Sequence, residues 1–291
     1  MSVPKVITGS FPFIVLTILM TILLARESTA QYYYKDLVAT RQNTAQWKLF
    51  RDSRVRSVRL NSFEGDGQPT EGFQGEQEVT GDFSLITTHT KTSRTTESWI
   101  IAAYSSRGLP IKITDTSDTY RSITDYQYDA QGRVLSITNT SIETDNHVKD
   151  QEQHLWQYDA QGKPTGMLKI KNGNDTTFIR FVTDEKGNIA EERAVRNKAD
   201  LPVIYYYYDA DNRLTDIVHY SLRAQRLLPS TIFTYDQGER LASMLVVPEE
   251  GNPDYQKWLY EYNEKGLKIK EACFNKRREL LGRIEYQYRF Q

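Results

Sequence analysis

A seven-residue pattern, aromatic-x-Tyr-Asp-x-x-Gly, recurs along the last two-thirds of the chain and leaves few folds open to it. Tyr126-Gln-Tyr128-Asp129-Ala-Gln-Gly132-Arg133 and Trp156-Gln-Tyr158-Asp159-Ala-Gln-Gly162-Lys163 match almost letter for letter. Tyr206-Tyr-Tyr208-Asp209-Ala-Asp-Asn212-Arg213 puts Asn where Gly stood, and Phe233-Thr-Tyr235-Asp236 carries its Gly238 one place early. Tyr260-Glu-Tyr262-Asn263 leads to Gly266, and Tyr286-Gln-Tyr288 ends the array on a first half. Weaker copies stand at Tyr104 to Gly108 and at Phe181 to Gly187, with a degenerate one at Phe63 to Gly67. From Tyr104 onward the anchor positions are spaced by 24, 30, 25, 25, 27, 27 and 26 residues. That period suits one β-hairpin and its connection to the next.

Each part of the unit has a physical reason. Two aromatics at spacing two lie on one face of a strand. Asp opens a turn, because its carboxylate bonds backbone N–H groups two residues on, and Gly tolerates the positive φ where the chain reverses. The turn is longer than two residues, so a four- or five-residue hairpin loop is expected. A single hairpin is marginal alone, whereas stacked hairpins bury a continuous aromatic face. Hydrophobic residues are only 38% of the chain while 19 tyrosines are present, which fits strands with an aromatic inner and a polar outer face.

The fold class that follows is all-β: a long antiparallel meander of these hairpins, twisted and curled, with a short N-terminal helical cap. Residues 1–30 read as a signal peptide, 31–100 as a capping segment with degenerate first hairpins, and 101–291 as the repeat array. Lys5, the apolar run 11–24 and Ser28-Thr29-Ala30 follow the order of a secretory signal, and the run is shorter than a bilayer span. Cleavage is expected after Ala30, so no membrane insertion follows and the chain is secreted across the inner membrane. Within the cap, Ala45, Trp47, Leu49 and Phe50 suggest a helix over residues 43–52 that covers an edge or end of the sheet. Residues 139–153 are the longest and most polar stretch between copies and read as a connection. The terminal strands of the meander are free to pair between chains.

The Tyr128 to Leu135 core, Tyr-Asp-x-x-Gly-Arg-x-Leu, with its echoes at Tyr158, Tyr208 and Tyr235, resembles the YD repeats of the rearrangement-hot-spot (Rhs) and teneurin-type families. The resemblance covers residues 100–291. It implies a β-sheet spiralling into a hollow shell that encloses a toxin or serves as an extracellular adhesive body. Eight units are fewer than a large closed shell needs.

The search for chemistry finds little. The charge balance of −1 excludes the basic footprint of a nucleic-acid binder. His89, His147, His154 and His219 are scattered, none at a zinc spacing, and His147 and His154 read as solvent-facing. Cys273 is a lone strand thiol. The row Asp129, Asp159, Asp184, Asp209 and Asp236 caps turns along one rim; calcium binding by that row is the alternative reading. Glu191-Glu192 and Glu249-Glu250 read as solvated charge. Trp156 and the run 205–208 could stack a sugar, but rings at recurring positions are core. No catalytic, cofactor or metal site is assigned. Tyr128, Asp129, Gly132, Trp156, Tyr158, Asp159, Gly162, Tyr208, Asp209, Tyr235, Asp236, Tyr262 and Gly266 are structural repeat residues. The function expected is a non-catalytic, exported structural or interaction module that binds protein or glycan through a sheet face or loops. A secreted hydrolase or toxin-associated shell fragment is the alternative.

Overall fold

The computed structural model describes residues 31–92, 97–117, 120–143, 149–247 and 254–291. The expected signal segment, His147 and the Glu249-Glu250 pair lie outside these residues. The described chain opens with a π-helical stretch, Tyr33–Val38, that runs into helix α1, Ala39–Asp52. Strands follow as β1 (Val55–Glu64), β2 (Gln74–Val79), β3 (Leu85–Lys91), β4 (Ser98–Tyr104) and β5 (Pro110–Thr116). Next come β6 (Tyr120–Tyr128), β7 (Val134–Glu143), β8 (Lys149–Tyr158), β9 (Pro164–Lys171) and β10 (Asp175–Thr183). Then β11 (Ile189–Arg196), β12 (Ala199–Asp200), β13 (Ile204–Tyr208), β14 (Leu214–Ser221) and β15 (Arg226–Tyr235). The last are β16 (Leu241–Val246), β17 (Gln256–Tyr262), β18 (Lys268–Phe274) and β19 (Leu280–Phe290).

Every strand pairs antiparallel with its sequence neighbour, and β11 bypasses the two-residue β12 to pair with β13. The meander then closes on itself. β19 pairs with β1 from Val55↔Phe290 to Glu64↔Gly282, while β1 also pairs with β2. Eighteen strands form the ring. The terminal strands are therefore bonded to each other rather than left for a second chain. Eight repeat units do close a sheet, because strands from the 31–100 segment complete the circle.

The expected hairpins are all-β meander units as read. The degenerate copy at Phe63 is an exception. It sits in the β1–β2 loop, at the opposite end of the ring from the Asp turns, so it is out of phase with the array. Residues 139–153 are not a free connection either. β7 carries on to Glu143 and β8 begins at Lys149. Their inward positions are polar rather than aromatic, which is why the stretch reads as loop from composition alone.

The helix starts at residue 39 rather than 43 and lies inside the ring, not along an edge. Tyr33 meets Tyr206 edge-on and Phe181 at a tilt, Tyr34 meets Phe233, and Phe50 meets Tyr288 edge-on. The Trp47 indole N–H donates to the Phe83 carbonyl at 2.7 Å. Contacts with β10, β13, β15, β19 and the β2–β3 turn reach round the ring, so the helix is enclosed by it. Gly108 permits one close approach: it holds a φ of +77°, and a Cβ there would run into the Trp47 indole. Two core clusters grow on the helix. Tyr33 and Leu37 join Trp156, Phe181, Tyr206 and Phe233, while Trp47 and Phe50 join Val55, Val58, Ile86 and Leu267.

Candidate functional site

The repeat residues are bound up in holding unit to unit. In the Asp129 turn, Oδ1 accepts the Arg133 N–H at 2.8 Å and Oδ2 takes the Arg133 guanidinium at 2.6 Å, while Gly132 sits at φ +85°. Asp209 and Asp236 repeat this with Arg213 and Arg240, and Asp159 Oδ1 accepts the Gln161 and Lys163 amides. Asp184 does the same for Asn188. The hydrogen bonds from Arg213 and Arg240 hold Asp209 and Asp236 below the usual carboxylate range. Each of these aspartates is therefore engaged within its own turn. Gly162 and Gly266 take the same positive φ as Gly132.

The second tyrosine of the unit reaches back to the unit before. Its hydroxyl donates to a backbone carbonyl from Tyr128 to Pro110, Tyr158 to Val134, Tyr208 to Ile189 and Tyr235 to Leu214, at 2.7 to 2.9 Å. Tyr262 and Tyr288 do so to Leu241 and Lys268. The turn arginine then covers the next ring: Arg133 over Tyr158, Arg213 over Tyr235 and Arg240 over Tyr262, about 5 Å from each centroid. Trp156 lies parallel to Phe181 at 5.2 Å, buried, so its faces are core. Cys273 is fully buried, and burial pushes its thiol up to about 12.

Glu191 and Glu192 part company, because neighbouring residues on a strand face opposite ways. Glu191 is outside and paired with Arg193. Glu192 is fully buried, which overturns its reading as solvated charge. Its carboxylate accepts the backbone N–H groups of Tyr32 and Tyr33 at 3.2 and 3.1 Å and the Tyr206 hydroxyl at 2.8 Å. It thus caps the start of the enclosed helix, where backbone donors have no helical partner.

The polar part of the interior lies on the other side of that helix. A partly open cavity of about 130 Å³ is bounded by Lys35, Asp36, Ala39 and Asn43 from the helical segment. Its wall is Ile113 of β5, Thr124 and Tyr126 of β6, Ile137 and Asn139 of β7, and Glu152 and His154 of β8. His154 is inside and nearly buried, not solvent-facing, because β8 extends through it and turns it toward the helix. Its Nδ1 lies 2.7 Å from Asp36 Oδ2 and its Nε2 2.9 Å from Glu152 Oε1. Glu152 Oε2 continues to Lys169 at 2.7 Å, and the Trp156 indole N–H donates to Asp36 Oδ2 at 3.0 Å.

Burial alone would lower the His154 pKa, but Asp36 and Glu152 outweigh it and hold the ring up at about 9. Burial likewise works against an ionised Glu152, yet His154 and Lys169 bring it down to about 2. The cluster is an imidazolium between two carboxylates. It lacks the protonated carboxyl that a glycosidase acid needs and a nucleophile for the imidazole to activate. Among the described residues no group of three or more His, Cys, Asp or Glu is arranged to hold a metal ion.

None of the cavity residues was assigned a role by the repeat, although Tyr126 is the first ring of its best copy. The signal that finds them is period two: Asn139 and Ser141, then Glu152 and His154, keep alternating beyond the aromatic positions.

Residues 104–141 match the RHS repeat family, so the chain carries this repeat. No curated protein matches the chain. It is similar to the Tc holotoxin pore of Photorhabdus luminescens, at 12% identity and a TM-score of 0.30, over 75% of this chain and 16% of that one. A TcdB2–TccC3–Cdc42 complex is similar at 10% identity and a TM-score of 0.30, over 78% and 19%. A porin-like protein from Bacteroides uniformis is similar at 10% identity and a TM-score of 0.38, over 81% and 98%. The chain spans less than a fifth of the Tc chains it matches.

Proposed function

We propose that this RHS-repeat chain is an exported, non-catalytic structural module that contacts a protein or glycan of the cell envelope or exterior through its outer wall and loops. The observation that carries this reading is the occupied interior. The chain's own helix fills the aromatic side of the ring, and the repeat Tyr, Asp and Arg side chains are engaged between units, so macromolecular contact falls to the outside. Export rests on the sequence of residues 1–30. An apolar row crosses the outer wall where Leu155, Leu168, Phe178 and Val195 pair directly across β8 to β11. Phe178 at their centre is 64% exposed, an unusual position for a large ring without a contact to make.

Retention of the purified protein on envelope fractions or glycan arrays tests the reading. Binding is expected, and Phe178→Asp should weaken it at least tenfold without loss of fold. No retention on either, or retention indifferent to outer-wall substitutions, would overturn it. The hydrolase alternative gains nothing from the ion-paired Asp36 and Glu152.

A further inference from the structure

The cavity beside the helix holds more polar groups than the fold uses. Asn139 Nδ2 donates to Ser122 Oγ and Thr124 Oγ1, both at 2.8 Å, which engages both amide hydrogens and leaves Oδ1 without a donor among the described residues. Thr124 accepts that bond and keeps its own hydroxyl hydrogen for another acceptor. The Tyr126 hydroxyl has no hydrogen-bond partner among the described residues, although its ring is packed in the core. Lys35 has no carboxylate within ion-pair distance among those residues.

The charges sharpen this. Three cationic groups, Lys35, His154 and Lys169, share the interior with three carboxylates, Asp36, Glu152 and Glu192, of which Asp36 and Glu152 pair directly with His154 and Lys169. Glu192, Asp36 and Glu152 all act on Lys35 from beyond ion-pair distance, and the Glu192 oxygens are bound to the helix-start amides and Tyr206. The Lys35 ammonium is thus without a direct ion-pair partner among the described residues, in a partly dehydrated place. Burial lowers its pKa, outweighing the pull of these more distant carboxylates.

We propose that this cavity binds a small hydroxylated monocarboxylate, its carboxylate on the Lys35 ammonium and its hydroxyls on Tyr126, Thr124 and Asn139. An anion here restores the pairing Lys35 lacks, where the low dielectric strengthens it. A single negative charge fits best, because a second would face Asp36 and Glu152. The volume of about 130 Å³ is close to the ~150 Å³ that takes in a benzene-sized molecule. That size suits a hydroxy acid of three or four carbons.

Calorimetric titration of the purified protein with D-glycerate and L-lactate, beside glycerol and inorganic phosphate, tests the site. One-to-one binding of glycerate is expected, at least tenfold tighter than glycerol and tighter than phosphate. Lys35→Gln should weaken glycerate at least tenfold, Tyr126→Phe about threefold, and Lys257→Gln on the outer wall not at all. The Lys35 side chain makes no hydrogen bond or ion pair among the described residues, so its variant should melt no lower than wild type; should it unfold, Tyr126→Phe carries the same test. The proposal is overturned if neither monocarboxylate binds, if Lys35→Gln binds glycerate as wild type does, or if phosphate binds tighter. The outer-wall reading is scored separately, since Phe178→Asp bears only on retention and Lys35→Gln only on titration.

Discussion

Two sectors of one inner wall, built on the same backbone, behave differently. From β10 to β15 the inward positions are Phe181, Tyr206 and Phe233, and they close on Tyr33 and Tyr34 with ring contacts of 5.3 to 6.3 Å. From β6 to β8 the matching rings are Tyr126 and Trp156, but the inward positions farther from the Asp turns are Thr124, Asn139 and His154, and there the wall stands around a polar cavity. The repeat therefore fixes the ring and the turns but not what the ring encloses. The first sector gives the helix a dry seat, and the second gives it a wet flank.

The contrast can be broken by removing a ring. Phe181→Ala deletes the partner of Trp156 and Tyr33 and should cost about 3–5 kcal/mol, read from denaturant unfolding. A smaller effect on the polar side comes from His154→Gln, which leaves Asp36 and Glu152 facing each other without an imidazolium. A loss of about 3 kcal/mol is expected near pH 6. The sign follows from the raised pKa. His154 contributes fully below about 6.5, its ordinary value, and that contribution fades as pH rises toward 9. Glu152, lowered to about 2, contributes above its ordinary 4.5 and is lost below it. Wild-type stability should fall between pH 6.5 and 9, and the His154→Gln variant should be flatter there.

A matched pair of hydroxyl deletions sharpens the comparison further. Tyr235→Phe loses a bond to the Leu214 carbonyl and should cost about 1 kcal/mol. Tyr126→Phe, in the polar sector, should leave stability unchanged. The smallest effect is a gain. Glu239 holds a φ of +61° where other units place Gly or, in one, Asn212, so Glu239→Gly should stabilise by about 0.5 kcal/mol, seen as a higher melting temperature.

The first sector was legible because its residues repeat. Tyr206, Asp209 and Arg213 stand in the frame set by Tyr126, Asp129 and Arg133, and each turn has the capping its Asp implies. The second was not, because Asn139, Glu152 and His154 are inward polar residues, and polar composition between two aromatic copies looks like loop. Glu192 misled in the same way: beside Glu191 it looks like surface, and only strand alternation places it inside. The position of the helix was hidden for a different reason. Ala45, Trp47, Leu49 and Phe50 announce an apolar face, but a sequence does not say whether that face meets the edge of a sheet or the inside of a ring. Closure depends on β1 meeting β19, whose pairing has no local signature.

That seam has a kinetic consequence. Val55 and Phe290 are neighbours in space across most of the chain, so their pairing is among the most distant contacts of the described residues. Neighbouring hairpins can zip early, each closing a short loop, whereas this last zip must wait for every one of them. The helix has to be in place before the wall shuts around it. Refolding should therefore show fast growth of strand signal, then a slower step in which Trp47 fluorescence changes as the enclosure completes. Substitutions along the β1–β19 seam should slow that step alone.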